Sequence, residues 1–265
     1  MNLVSNAASP VRIGFVLSGG GLRGAAHLGV LRRVLRLQVP VQVMVGVSAG
    51  AIIAAYYAAV GLTINDMVAE APGFRGRHIV MHGITLRAHQ RLKPFLRRFC
   101  GVIPQRLAQL EDSSFGVLHH GIEQLGIVCH DLIRNQACYF STSEERGVRL
   151  ADVVRASAAV PGVMPSRTMM IAGEEFRLVD GGLSDPLPIA FARSPGLDAT
   201  HLIVSDCRHN AAAPPPPSDS LAYIRPNLDG IRPLRAPRFA LATAVWQGEA
   251  AVTDGIIEQV RRWNG

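Results

Sequence analysis

The chain has 265 residues, 48% hydrophobic and 18% charged, with a formal net charge of +7. A chain this long buries roughly three quarters of its unfolded surface, so it needs neither disulfides nor a metal to hold a core. So apolar a composition also excludes a disordered protein. The basic residues are 26 Arg and one Lys, Lys93, a skew that genomic nucleotide composition can produce and that carries little functional weight alone.

Residues 1–10 have neither the basic nor the apolar part of a secretory leader, so none is expected. Residues 11–17 form a short apolar run that enters Ser18-Gly19-Gly20-Gly21, a buried strand running into a glycine turn. From 25 to 37, Leu28, Leu31 and Leu35 alternate with Arg32, Arg33 and Arg36 at helical spacing. Residues 37–65 carry no charge and are long enough to cross a bilayer. Gly46 and Gly50 split them, however, into a β-branched part (Val39, Val41, Val43, Val45) and an Ala-rich part. A buried strand over 41–46 and a buried helix over 49–60 account for both better than a membrane span does.

Residues 63–110 read as mostly helical and irregular. Strands are expected at 126–129, 137–141, 176–179 and 201–205, a short helix at 150–158 before Pro161, and a stiff Ala-Pro loop at 211–217. A C-terminal helix is expected over 239–263. The β-α-β-α order predicts one α/β domain, a three-layer α/β/α sandwich around a mostly parallel sheet. Charge is uneven along it: residues 1–65 contain no Asp or Glu, 71–110 sum to +8 with no acid, and 111–265 sum to −4. Cys100, Cys129, Cys138 and Cys207 lack CxxC or paired-His spacing. They suggest neither a zinc site nor a disulfide framework, and the default setting is a reducing cytoplasm.

Three motifs stand at strand ends. Gly19-Gly20-Gly21-Leu22-Arg23-Gly24 is a GxGxxG between strand and helix, where backbone can approach a ligand closely and N–H groups favour negative charge. It suits either a dinucleotide pyrophosphate or an oxyanion hole. The ordinary dinucleotide site needs an acid about 20 residues on, and none precedes Asp66; an NADP-type site with Arg in that place is untouched by this count. Gly46-Val47-Ser48-Ala49-Gly50 is a GxSxG that presents Ser48 at a strand's end and a helix's start. Asp180-Gly181-Gly182 sets a carboxylate on a sharp turn, functional or a plain Asx turn. The rival Asp185 precedes Pro186 and reads as a helix N-cap. A random chain of this composition would hold all three motifs about 0.004 times.

These blocks, together with 155–165 (RASAAVPGVMP), resemble the patatin-like phospholipase family, its small bacterial members most. The resemblance spans about 11–188 and weakens over 63–125 and after 208; Ser18 stands where plant members often carry Asp. It implies a serine lipid acyl hydrolase of the phospholipase A or lysophospholipase type, acting on a lipid or acyl-ester substrate through an acyl-enzyme. Ser48 would be the nucleophile, Asp180 its base, and the Gly19–Gly20–Gly21 turn the oxyanion hole. Gly46 and Gly50 would shape the nucleophile turn, Gly181 and Gly182 the Asp turn, and Arg23 and Gly24 would support the glycine loop. No cofactor or metal is implied.

Arg23 is read as a brace on carbonyls or a carboxylate in preference to a lipid-phosphate ligand, and His27 as a packing histidine. For 71–110 two readings stand side by side. Its cations alternate with Phe74, Leu92, Phe95, Leu96 and Phe99, which suits peripheral contact with an anionic membrane; a solvated face paired with the acidic C-terminal half accounts for the same composition. No nucleic-acid-binding motif accompanies it. The rival functions are an α/β-hydrolase esterase with Ser48, Asp180 and His201 or His209, and a non-catalytic lipid-binding or interaction protein on the same fold.

Overall fold

The computed structural model describes residues 10–144, 147–210, 213–237 and 239–263. In chain order the first part holds β1 (Ile13–Leu17), a tight 3-10 turn at Gly21–Gly24, α1 (Ala25–Leu35), β2 (Val41–Val47) and α2 (Ala49–Ala58). Four helices follow: α3 (Ile64–Glu70), α4 (Gly76–Arg87), α5 (Lys93–Arg97) and α6 (Ile103–Gln109). Then come β3 (Gln124–Asp131), β4 (Gln136–Ser141), α7 (Leu150–Ser157), β5 (Arg167–Ile171), β6 (Glu174–Asp180) and α8 (Ile189–Ala192). β7 (His201–Ser205), β8 (Leu221–Ile224), α9 (Ala240–Ala250) and α10 (Asp254–Arg262) complete the chain.

The strands pair in the order β5-β6-β3-β2-β1-β7-β8, and β4 lies along β3. Pairs among β3, β2, β1, β7 and β8 are parallel; β4, β5 and β6 enter antiparallel. The fold is thus α/β with a mostly parallel sheet. Central strands are apolar along their whole length because both sheet faces are covered. Ile13, Phe15, Leu17 and Met44 face the larger core, against α1, α2, α7 and α10; Val16, Val43 and Val45 face a smaller one, closed by α8 and the chain to Ala199. The uncharged stretch 37–65 contributes β2 and α2, and no helix among the described residues is long and apolar enough to cross a membrane.

One detail of register sets the functional geometry. β4 occupies residues 126–131 of β3 along one edge. β2 pairs with 124–128 and β6 with 129–131, so these two strands divide the other edge between them. They run in opposite senses and meet end to end: Val47 pairs with Val128, and Asp180 with the next residue, Cys129.

Several expectations change. The C-terminal segment is two helices, because the chain breaks at 251–253 and restarts after Thr253. The strand expected at 126–129 extends over Gln124–Asp131, and β5 and β8 were not anticipated. Asp185 caps no helix; α8 begins later, after Pro188, and the Asp185 carboxylate accepts from the Tyr139 hydroxyl at 3.2 Å. The residues read as lacking a leader, 1–9, and Ala211–Ala212 of the Ala-Pro loop lie outside the described residues; 213–217 holds no helix or strand.

α1 and α9 cross at two glycines. A Cβ on Gly29 would stand 1.8 Å from the Val245 carbonyl oxygen, and one on Gly248 2.0 Å from that of Ala26. Neither backbone can yield without separating the helices. Gly29→Ala is therefore expected to lower stability by about 1–3 kcal/mol despite alanine's better helix propensity, read as a shifted midpoint in urea unfolding; an unchanged midpoint would disprove the tight crossing.

Candidate active site

Ser48 joins β2 to α2 with φ 56° and ψ −120°, a left-handed backbone strained for a non-glycine residue. The turn closes only because its flanks are glycine. A Cβ on Gly46 would lie 2.5 Å from the Gly50 carbonyl, and one on Gly50 2.3 Å from the Leu17 carbonyl oxygen. The Ser48 N–H donates to Ser157 Oγ at 2.9 Å, and Ser157 donates in turn to the Val128 carbonyl at 2.6 Å. Ser157 thereby ties the serine turn to β3. Sequence reasoning missed it, although it sits inside the RASAAVPGVMP block.

The Ser48 hydroxyl donates to Asp180 Oδ2 at 2.6 Å, while Oδ1 accepts the Gly182 N–H at 2.8 Å. Both side chains are buried. Burial raises the Asp180 pKa above the usual carboxylate range; the bonds from Ser48 and Gly182 pull the other way. Gly181 can only be glycine, since a Cβ there would lie 2.3 Å from the Val128 carbonyl oxygen. β6 is antiparallel to β3, so its C-terminal end meets the C-terminal end of β2 and sets Asp180 beside Ser48.

Beside Ser48 lies the glycine loop. A Cβ on Gly19 would lie 3.5 Å from the Ser48 Cβ, but the Gly19 N–H already donates to the Pro186 carbonyl. The amides of Gly20 and Gly21 have no acceptor among the described residues. Arg23 does not reach outward. Its guanidinium donates to the carbonyls of Cys207, Leu228 and Ile231 at 2.7–2.8 Å and of Arg208 at 3.3 Å. That bonding leaves it bracing the loop, and it is no free ligand for a lipid phosphate. Gly24 packs against Ala49, where a Cβ would come within 2.7 Å.

No histidine bonds Ser48 or Asp180 among the described residues. His201 opens β7 at the opposite end of the sheet, bonded to Thr200 and beside Trp263; His209 is exposed on the loop after β7. His27 is fully buried, with Nε2 donating to the Ser18 carbonyl, which leaves Nδ1 to accept from Ser205 Oγ at 2.7 Å.

Ser48 opens onto a cavity of about 280 Å³. Its lining is mainly apolar, with Leu28, Ile52 and Ile53 below and Phe74, Ile79 and Leu86 from the 71–110 segment above. That segment is the roof. Its outer side exposes Val80, Ile84, Leu92, Phe95 and Phe99. The reading of 71–110 as a face paired with the acidic C-terminal half does not hold among the described residues. Of its eight cations only Arg106 forms an ion pair, with Glu70, which lies outside that half. The C-terminal acids are instead taken by Arg residues elsewhere, such as Arg32 and Arg36 on Glu249.

The family model for patatin-like phospholipase matches residues 15–75 and 76–193. The chain belongs to the patatin-like phospholipase family. It is 30% identical over 193 residues, 72% of its length, to lysophospholipase nte1 of Emericella nidulans, and 30% identical over 178 residues, 66% of its length, to an uncharacterized NTE family protein of Mycobacterium tuberculosis. The matched segments are only 12% and 27% of those longer proteins. Among solved structures, VipD from Legionella pneumophila aligns over 96% of this chain and 67% of its own with a TM-score of 0.60 at 17% identity, a likeness of fold. The family match spans both the Ser48 turn and the Asp180 turn.

Burial holds the His27 pKa down to about 4, against 6.5 when unfolded. The unfolded chain therefore takes the proton first as pH falls. The stability associated with neutral His27 is full above about 6.5 and is lost toward pH 4, by about 3 kcal/mol at most. Urea unfolding at pH 7 and pH 4.5 should show a smaller loss in His27→Gln than in the parent; equal losses would disprove the assignment.

Proposed function

We propose that this patatin-like chain hydrolyses lipid acyl esters with a Ser48–Asp180 dyad through an acyl-enzyme. The observation that carries the reading is the 2.6 Å bond from Ser48 Oγ to Asp180 Oδ2 at the wall of an apolar cavity. Ser48 Oγ attacks the ester carbonyl carbon while its proton passes to Asp180 Oδ2. The amides of Gly20 and Gly21 and the N-terminus of α2 receive the charge that develops on the carbonyl oxygen. Collapse expels the alcohol, which takes the proton from Asp180, and the acyl group stays on Ser48. Water then gives a proton to Asp180 and attacks the acyl carbon, releasing the fatty acid and restoring the serine. A carboxylate is a weak base for a hydroxyl, and burial that raises its pKa brings it closer to the task.

Approach to the substrate goes through the roof. α4 and α5 present exposed Val80, Ile84, Leu92, Phe95 and Phe99 among Arg91, Lys93, Arg97 and Arg98, while Ile79 and Leu86 of α4 line the cavity beneath. An anionic membrane satisfies both chemistries of the outer face and lies over the route to Ser48.

A fluorophosphonate probe should label the parent and not Ser48→Ala, and Ser48→Ala should lose ester hydrolysis entirely. Unchanged turnover in purified Ser48→Ala would refute the dyad. Asp180→Asn should reduce kcat by roughly 10²–10⁴-fold, and parent activity should decline as pH falls through the raised Asp180 pKa, because only the ionised carboxylate accepts the proton. Retained activity in Asp180→Asn, with loss in His201→Ala or His209→Ala, would favour the histidine triad; normal labelling without lipid turnover would favour a binding protein.

For the membrane contact, Arg97→Gln/Arg98→Gln should weaken sedimentation with anionic vesicles roughly tenfold or more, at about 1 kcal/mol per cation. Phe95→Ala/Phe99→Ala should weaken it as well. Parent-like sedimentation of both double variants would sink this docking face.

A further inference from the structure

The cavity beside Ser48 is not uniformly apolar. Among its charged lining groups, Arg106 is held by Glu70, and Arg155 by Glu111, by Asp152 at 3.7 Å and by the Leu107 carbonyl at 3.2 Å. Two others are left over. The guanidinium of Arg167 has no hydrogen-bond or ion-pair partner among the described residues, and His82 Nδ1 is buried without one. Arg167 is half-buried at the start of β5, and His82 comes from α4 in the roof. Burial first, then Arg155, Arg167 and Arg97, hold His82 neutral, with a pKa down to about 4. A neutral imidazole always has one N–H to donate. The sheet and the roof therefore offer a cation and a donor to the same space; Asp152 and Glu111 act on Arg167 only from a distance, while both are in ion pairs with Arg155.

The placement relative to the dyad is specific. Arg167 pairs with Leu178, two residues before Asp180, and cross-strand partners share a sheet face, as do residues two apart. Arg167 and Asp180 thus stand on one face, about 7 Å apart along β6 and about 5 Å across to β5. That is beside the reacting ester and not at the far end of an acyl chain. A guanidinium there matches the forked geometry of a phosphate.

We propose that Arg167 and His82 form an anion subsite that takes a phosphate on the alcohol side of the ester, and so select phosphate-bearing acyl esters over neutral ones. The selection of substrates rests on the reading of Ser48 as nucleophile; the subsite itself is read by binding alone. The probes are a short-chain monoacylglycerol phosphate and the monoacylglycerol of the same chain, titrated as monomers against full-length Ser48→Ala. The phosphate lipid should bind more tightly, and adding Arg167→Met should cut that preference ten- to a hundredfold, the range of a charged hydrogen bond. Arg167→Lys should restore part of it, and His82→Phe should reduce it several-fold. A preference that Arg167→Met and Arg167→Gln leave unmoved overturns the subsite, as does loss of affinity for the free fatty acid alone, which would assign the cation to the acyl end. If the parent fails to turn over either lipid while the preference follows Arg167, the subsite stands and the Ser48 reading falls. Turnover with an unmoved preference gives the reverse.

Discussion

The site depends on one peptide of β3. Val128 and Cys129 are consecutive, and each holds the end of a different strand: Val47 of β2 on the first, Asp180 of β6 on the second. Because the two strands approach from opposite directions along the same edge, the residues that follow and end them meet face to face. The Val128 carbonyl adds a second tie through Ser157 to the Ser48 amide. Ser48 and Asp180, separated by 132 positions in sequence, are thus set within hydrogen-bond distance by backbone pairing before any side-chain choice is made. A slip of one residue in either pairing would turn the side chains to opposite faces.

That arrangement holds several groups in unfavourable states. Ser48 has a left-handed backbone, Asp180 is a carboxylate in a buried setting, and Arg167 is a partly desolvated cation with no direct ion pair among the described residues. The surroundings keep them so. Gly46 and Gly50 leave no room for the turn to relax, Ser157 anchors its amide, and Arg23 fastens the glycine loop to four carbonyls. Strain and desolvation at a few positions, fixed by a well-packed frame, are what a reactive site needs and what a structural turn does not.

The roof has a different logic. In residues 71–110, which hold α4 to α6, inner apolar side chains complete the cavity while outer ones face solvent among arginines. The +8 of this stretch is left largely uncompensated by the rest of the protein among the described residues, whereas the N-terminal cations Arg12, Arg32 and Arg36 do find acids. The charge imbalance evident in composition is therefore concentrated on the element that covers the cavity.

Much of this was legible in the residues. GxGxxG, GxSxG and DGG report local backbone demands, which are properties of neighbouring residues, and each marks its turn correctly. The uncharged run from 37 to 65 revealed strand, turn and helix for the same reason. His82, Arg167 and Ser157 were not legible, because a lone His, Arg or Ser has no local signature and matters only for what stands opposite it. The sense of β6 was also hidden: a strand's pattern records which face is buried, and parallel and antiparallel partners bury the same face. The sequence by itself determined which residues could form the turns. Only the tertiary structure decided that two of those turns meet on β3 and that an unpaired cation shares their cavity, because pairing register and long-range charge are set by contacts between distant segments.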